Sequence, residues 1–162
     1  MTKLTRYLLI GLLLFFLLGE TASAQLRFGV KGGVNTADET TGYHAGVALQ
    51  FGIPLIGVKI QPELLYTNKD QANYLEVPVH LQWGLDLILL RPYLTVSPYA
   101  GINLDNRTQN SSSKTPLEYG IGVGGGLDIW RMQVQLLYQW DLNAQINQQH
   151  YRGLQISAVF FF

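Results

Sequence analysis

The fold is decided by residues 130–140, which read Trp-Arg-Met-Gln-Val-Gln-Leu-Leu-Tyr-Gln-Trp. Large apolar side chains at the even positions alternate with Arg131, Gln133, Gln135, Leu137 and Gln139. Successive side chains of a β-strand point to opposite faces, so this period of two predicts a strand with one apolar and one polar face. An amphipathic helix would instead repeat its apolar positions every three or four residues.

The same alternation predicts seven further strands. It is clear in Tyr43–Phe51, Ile56–Tyr66 and Leu75–Leu85. It is weaker in Leu26–Val34, Tyr93–Leu104, Leu117–Asp128 and Arg152–Phe162. Each segment has about ten residues, which rise roughly 25 Å at about 3.3 Å per residue and a tilt near 40°. The sequence therefore predicts an all-β fold, an eight-stranded antiparallel up-and-down transmembrane β-barrel.

The predicted connections differ between the two ends of this barrel. Those at one end are polar: Asn35–Thr41, Thr67–Asn73, Asp105–Pro116 and Asp141–Tyr151. Those at the other end are shorter or more apolar: Gly52–Leu55, Asp86–Arg91 and Asp128–Ile129. Outer-membrane barrels have long extracellular loops and short periplasmic turns. We therefore expect both termini in the periplasm and the four polar loops outside the cell.

Composition indicates which face meets lipid. The bulky face carries aromatic residues, several of them at strand ends: Phe28, Phe51, Tyr66, Trp83, Trp130, Tyr138, Trp140, Phe160 and Phe162. The other face is rich in glycine: Gly29, Gly33, Gly46, Gly57, Gly84, Gly101, Gly120, Gly122, Gly124 and Gly126. A water-soluble barrel of the lipocalin kind is the alternative, but it would need an apolar core inside. Charged residues are only 14% of the chain, against about 25% in typical soluble domains. We therefore expect lipid outside and the glycine-rich face enclosed.

The enclosed face also carries ionisable side chains, which predict a polar network in the lumen: Lys31, Lys59, Glu63, Glu76, His80, Glu118 and Asp128. An unpaired charge is costly in a lumen this narrow, so we expect these side chains to pair across strands. Glu76 and His80 lie about 13 Å apart on one strand and cannot pair directly.

The N-terminal 24 residues predict a cleaved secretory signal peptide. Lys3 and Arg6 precede an apolar run, Tyr7–Leu18, and Ala22-Ser23-Ala24 matches a cleavage site. The alternative, a membrane anchor, needs about 20 apolar residues, whereas this run has twelve. Cleavage would leave residues 25–162 as the barrel domain. The full chain has eleven basic and eleven acidic residues, and removal of Lys3, Arg6 and Glu20 leaves nine basic and ten acidic ones. This balance gives no basic patch for nucleic acid, and the absence of cysteine excludes a lipidated N-terminus.

The last strand ends with alternating apolar residues: Ile156, Ala158, Phe160 and Phe162. A terminal strand that ends in an aromatic residue resembles the signal read by the barrel-assembly machinery. The alternative is an ordinary closing strand. Three prolines, Pro62, Pro78 and Pro98, fall within predicted strands, and we expect them at bulges or strand ends because proline removes a ladder donor.

Several short segments resemble the PorT-like outer-membrane β-barrel family, which is common in Bacteroidota. They are Gln61–Tyr66 with Tyr74–Val79, Arg91–Tyr93 with Pro98–Gly101, Tyr119–Gly126, and Val134–Tyr138. The similarity spans residues 26–162, and each motif is short. The resemblance implies the barrel fold and an outer-membrane location. It implies no shared enzymatic activity, and a role in protein secretion belongs only to some members of the family.

Sequence motifs for chemistry are lacking. His44, His80 and His150 do not have the spacing of metal ligands, and no nucleophile and base can be placed together from the loops. We therefore expect no cofactor, no metal and no catalytic residues. The expected function is a small non-enzymatic outer-membrane barrel of a Gram-negative bacterium, structural or binding an unidentified protein or ligand through its extracellular loops. A narrow pore and a membrane-embedded enzyme are the alternatives. The expected partners are outer-membrane lipids and the barrel-assembly machinery.

Overall fold

The computed structural model describes residues 26–37, 40–53, 57–69, 72–104, 117–143 and 152–162. These residues form eight strands: β1 (Leu26–Ala37), β2 (Thr40–Ile53), β3 (Val58–Lys69), β4 (Ala72–Gly84), β5 (Arg91–Asn103), β6 (Leu117–Ile129), β7 (Met132–Asp141) and β8 (Arg152–Phe161). Each strand pairs antiparallel with the next, and β8 pairs with β1, so the sheet closes into one up-and-down barrel. The predicted eight-stranded antiparallel barrel is confirmed. The predicted signal peptide lies outside the described residues.

Side-chain burial follows the period of two that the sequence shows. Along β7 the exposed Met132, Val134 and Leu136 alternate with the buried Gln133 and Gln135. Among the described residues, 21 buried side chains are polar or charged and 7 are apolar. The predicted faces are therefore confirmed, because the bulky apolar side chains cover the outside and the polar ones fill the lumen. Across the described part of the chain, no helix is long and apolar enough to span a membrane.

Outward aromatic residues form a row at each end of the barrel. We call the end where β1 joins β2 the loop end and the opposite end, which holds the C-terminus, the terminus end. The loop-end row contains Tyr43, Tyr66, Tyr119, Tyr138 and Trp140. The terminus-end row contains Phe28, Phe51, Trp83, Phe160 and Phe162, with Trp130 in the adjoining turn. Outer-membrane barrels carry such an apolar band between two aromatic rows on their outer surface.

Glycine on the inward face makes room for the largest inward rings. A Cβ atom at Gly126 would lie 2.5 Å from the Tyr93 hydroxyl, and one at Gly120 would overlap the Tyr99 ring. An eight-stranded barrel encloses little more than its own inward side chains, so these two tyrosines fit only opposite glycines.

The predicted bounds of two of the four polar loops are wrong. β1 continues to Ala37 and β2 begins at Thr40, while β3 continues to Lys69 and β4 begins at Ala72. The segments predicted as loops Asn35–Thr41 and Thr67–Asn73 are therefore mostly strand. Their polar side chains suggested loops, but Asn35, Thr67 and Lys69 are buried in the lumen. The connections between β5 and β6 and between β7 and β8 remain long.

The expected placement of the prolines is also wrong. Pro62, Pro78 and Pro98 lie inside β3, β4 and β5, away from the strand ends. Beside each proline the pairing with the preceding strand is interrupted, and the same register resumes on both sides. No extra residue is inserted, so there is no bulge at these positions. A proline lacks only one N–H donor, so the hydrogen-bond ladder is interrupted beside it and continues on either side.

Candidate functional site

The middle of the lumen holds a cluster of buried charges from three strands. Lys31 Nζ on β1 lies 2.8 Å from Glu63 Oε2 on β3, and His80 Nε2 on β4 lies 3.0 Å from the same oxygen. Lys31 also donates to Gln135 Oε1 at 2.8 Å, and Gln61 donates to Glu63 Oε1 at 2.7 Å. Both oxygens of the Glu63 carboxylate therefore have partners, which offsets the cost of burying the charge.

A second cluster lies toward the terminus end. Lys59 Nζ on β3 lies 2.8 Å from Asp128 Oδ2 on β6, and Arg91 Nη1 lies 3.3 Å from the same oxygen. Gln133 donates to Asp128 Oδ1 at 2.7 Å. Arg91 also donates to the carbonyl of Gly57 at 2.7 Å, which ties the β2–β3 turn to the lumen. Asp128 is thus held by side chains that come from opposite walls of the barrel.

A third cluster lies toward the loop end. Lys69 Nζ on β3 lies 2.5 Å from Glu76 Oε1 on β4, and it lies 4.8 Å above the centre of the Tyr99 ring. The Tyr99 hydroxyl donates to Asp141. These contacts connect β3, β4, β5 and β7 across the upper lumen.

Glutamines link the clusters into one network. Gln50 donates to Gln61 at 2.8 Å, and Gln61 donates to Gln133 at 2.9 Å. Gln82 donates to Gln61 Oε1 at 3.0 Å. All four side chains are fully buried. The Gln61–Gln133 bond joins β3 to β7 across the lumen, while Gln50 and Gln82 bond Gln61 from the neighbouring strands β2 and β4, so the four amides fill the cross-section of the barrel with protein groups.

The structure also brings together a hydroxyl, an imidazole and an amide that sequence reasoning did not connect. His44 Nε2 lies 2.9 Å from Ser157 Oγ, and His44 Nδ1 lies 2.9 Å from Asn35 Oδ1. This order of groups resembles an activated nucleophile with its base and orienting residue. Ser157 is, however, only 2% exposed. The His44 ring packs over Gly33, where a Cβ atom would lie 2.6 Å from Cε1.

The seven residues of the predicted lumen network all lie on inward positions. Six of them, all except Glu118, take part in the close charged contacts described above. Glu118 is half-buried at the loop end of β6. The four residues of the predicted assembly signal lie on β8 or directly after it, and all are exposed on the outer face. His150 lies outside the described residues.

Sequence reasoning missed Lys69, Arg91 and the buried glutamines. Lys69 was expected in a loop. Like Glu63 it has an odd residue number, so a prediction that extended β3 to residue 69 would have placed its side chain in the lumen. Arg91 was expected in a turn, and it is the first inward residue of β5. In the described part of the chain, no three His, Asp or Glu side chains are grouped as metal ligands would be.

Comparison with solved structures finds eight-stranded barrels of the outer membrane. The chain is similar to the N-terminal β-barrel domain of Pseudomonas aeruginosa OprF, with 12% identity, a TM-score of 0.54 and coverage of 86% of this chain and 100% of that chain. It is similar to Neisserial surface protein A, with 10% identity, a TM-score of 0.54 and coverage of 84% and 94%. It is also similar to the outer membrane enzyme PagL, with 13% identity, a TM-score of 0.56 and coverage of 82% and 97%. At these identities the likeness is one of fold. No protein-family model and no curated protein matches the sequence.

Proposed function

We propose that this chain is a small barrel of the Gram-negative outer membrane that has no enzymatic activity. It reaches that membrane through a cleaved signal peptide and is folded there by the barrel-assembly machinery. It acts as a structural element of the envelope or binds a partner through its loop end. The observation that carries the proposal is the inverted burial of the barrel, with apolar side chains outside and paired charges inside.

The energetics of the outer surface support a lipid environment. Large apolar side chains are exposed on all eight strands, for example Phe28, Leu94 and Val134. Soluble monomers rarely expose a contiguous apolar patch larger than a few hundred Å². In hydrocarbon the same apolar surface is not exposed to water. Lipid cannot form hydrogen bonds with the backbone, and closure of the barrel pairs these backbone groups with one another. The similar solved barrels are outer-membrane proteins, and this adds support. Within that class, the short motifs of β3 to β7 support a relation to the PorT-like group.

Partner binding is assigned to the two long connections, residues 104–116 and 142–151. These segments are rich in Asn, Gln, Ser and Thr, and they join strands at the loop end. Loops held by a rigid scaffold are where binding residues are usually found. A pull-down from native outer membranes with the tagged full-length chain would identify the partner, and deletion of residues 108–113 should abolish its capture if this assignment is right.

The location is tested by fractionation of cells that express the full chain. We expect the mature protein in the outer-membrane fraction, extracted only by detergent. A freely soluble, detergent-independent monomer in a periplasmic extract would overturn the proposal.

The pore alternative predicts ion conduction, whereas the filled lumen predicts none. Wild-type protein in planar bilayers should give no sustained single-channel steps, because Gln61, Gln133 and Lys59 bridge the lumen. A Gln61→Ala/Gln133→Ala variant, in which the Gln61–Gln133 bridge is removed, should conduct more than wild type. Sustained steps from the wild-type barrel would favour the pore.

The enzyme alternative has one specific observation in its favour, the contact of Ser157 with His44. The proposal assigns this contact a structural role, because it joins β2 to β8 and both His44 and Ser157 are buried. We expect no lipid or peptide turnover in detergent and no labelling of Ser157 by a fluorophosphonate. Turnover or labelling that a Ser157→Ala variant lacks would overturn the non-enzymatic assignment.

A further inference from the structure

One charged residue breaks the apolar character of the outer face. Among the described strand residues, Arg152 is the only charged side chain at an outward position, and it is exposed. Every other charged residue of the described strands lies at an inward position. A charge on the lipid face is costly at the bilayer centre and tolerated near the interface, so its position along the barrel matters.

Arg152 lies at the level of the loop-end aromatic row. It is the first residue of β8, and its register partner on β7 is Trp140. Tyr138, the next outward residue of β7, pairs with Leu154. A long cationic side chain at this level can extend its guanidinium to the headgroup region while its stem stays in the apolar layer.

An open cavity adjoins Arg152. It has a volume of about 450 Å³ and is lined by Ile121, Trp140, Asp141, Leu142 and Arg152. Its lining is therefore apolar at Ile121, Trp140 and Leu142 and charged at Asp141 and Arg152. None of the ion pairs among the described residues includes Arg152, whereas Asp141 already accepts a hydrogen bond from Tyr99. The guanidinium is thus the group at this cavity that is available for an anion.

We propose that this cavity binds a phosphorylated membrane lipid in the leaflet at the loop end. The phosphate is held by the Arg152 guanidinium, whose planar fork suits bidentate contacts with phosphate. The acyl chain lies along Ile121 and Trp140, and Leu142 borders the headgroup. The inference rests on the proposed function, since it requires this surface to face lipid.

The affinity test uses native mass spectrometry of the detergent-solubilised barrel with phosphatidic acid, and with diacylglycerol of the same chains. We expect phosphatidic acid to be retained and diacylglycerol to be lost. Arg152→Gln should weaken phosphatidic acid binding about five-fold, the equivalent of about 1 kcal/mol for one cation at a membrane surface. Arg152→Lys should retain part of the binding, because it keeps the charge and loses the fork.

A matched control lies at the terminus end of the barrel. Arg131 is also exposed and also lies beside a tryptophan, 5.6 Å from the centre of the Trp130 ring, but it belongs to the turn between β6 and β7. Arg131→Gln removes the same charge and should leave phosphatidic acid binding unchanged. Equal losses from the two variants would overturn the proposal in favour of general attraction. Displacement of the lipid by inorganic phosphate alone would also overturn it, since the site would then bind a free anion.

A local readout covers the case in which a variant folds poorly in detergent. A Trp83→Phe/Trp130→Phe variant in phosphatidylcholine vesicles reports only on Trp140. Brominated phosphatidic acid should quench this fluorescence more than brominated phosphatidylcholine does, and Arg152→Gln should remove the difference. If the barrel inserts but shows no lipid preference, this inference alone fails. If it does not insert into vesicles, the proposed function fails with it.

Discussion

A depth series of arginines on β7 tests whether hydrocarbon surrounds the barrel. Leu136 lies midway between Met132 and Trp140, four residues from each, which is about 10 Å along the barrel axis at a rise of about 3.3 Å and a tilt near 40°. Leu136 and Met132 are both outward and both 49% exposed. Surface area therefore cannot distinguish the two positions, but depth in a bilayer can.

We expect Leu136→Arg to cost about 2–4 kcal/mol relative to Leu136→Ala, the range for arginine at the bilayer midplane. Met132→Arg should cost only about 0–1 kcal/mol relative to Met132→Ala, because Met132 adjoins the turn at the interface. A difference of about 3 kcal/mol between the two positions changes the folding equilibrium by roughly two orders of magnitude. The alanine references remove the contribution of the lost side chain.

The measurement is reversible urea unfolding of the barrel in lipid vesicles, followed by tryptophan fluorescence. The free energy of unfolding of all four variants is compared with that of the wild type. On a surface that faces water, both arginines would change stability by less than about 0.5 kcal/mol. Small and equal effects at the two depths would therefore refute the assignment of the outer face to lipid.

Two further predictions use the same unfolding measurement. Lys31→Met should cost about 3–5 kcal/mol because it leaves the Glu63 carboxylate buried with fewer partners, and adding Glu63→Gln should recover part of this loss; strictly additive losses would contradict a direct pair. Gly124→Ala should cost about 1–3 kcal/mol because its Cβ would lie 2.9 Å from the Leu137 Cα atom. Gly52→Ala, where a Cβ meets nothing within 4 Å, should change stability by less than about 0.5 kcal/mol, and equal effects of the two alanines would contradict this account.

The filled lumen limits what the barrel can do by itself. Lys59 on β3 pairs with Asp128 on β6 across the lumen, and Lys31 on β1 pairs with Glu63 on β3, so separation of either pair would leave an uncompensated charge in a filled interior. Such a lumen favours a rigid scaffold rather than a channel that opens and closes. We infer that function resides at Arg152 on the outer surface and in the two long connections that join strands at the loop end.

The strands and their two faces follow from the sequence by itself. Alternation along a strand is a local property of the extended backbone, so residues 130–140 alone predict which side chains of β7 face each way. The small and polar character of the inward face, together with the even number of strands, was enough to predict a closed barrel with lipid outside. The inward placement of Lys31, Glu63 and His80 follows from the same parity.

Only the tertiary structure decided where the strands end and which inward side chains meet. The polar residues Asn35, Thr67 and Lys69 were predicted as loop because polarity in a sequence does not distinguish water from a polar lumen. Contacts across the lumen depend on the offset in strand register that accumulates around the closed barrel. The sequence of a single strand does not encode this offset. The contact of His44 with Ser157, 113 residues apart in the chain, exists only because β8 closes beside β1.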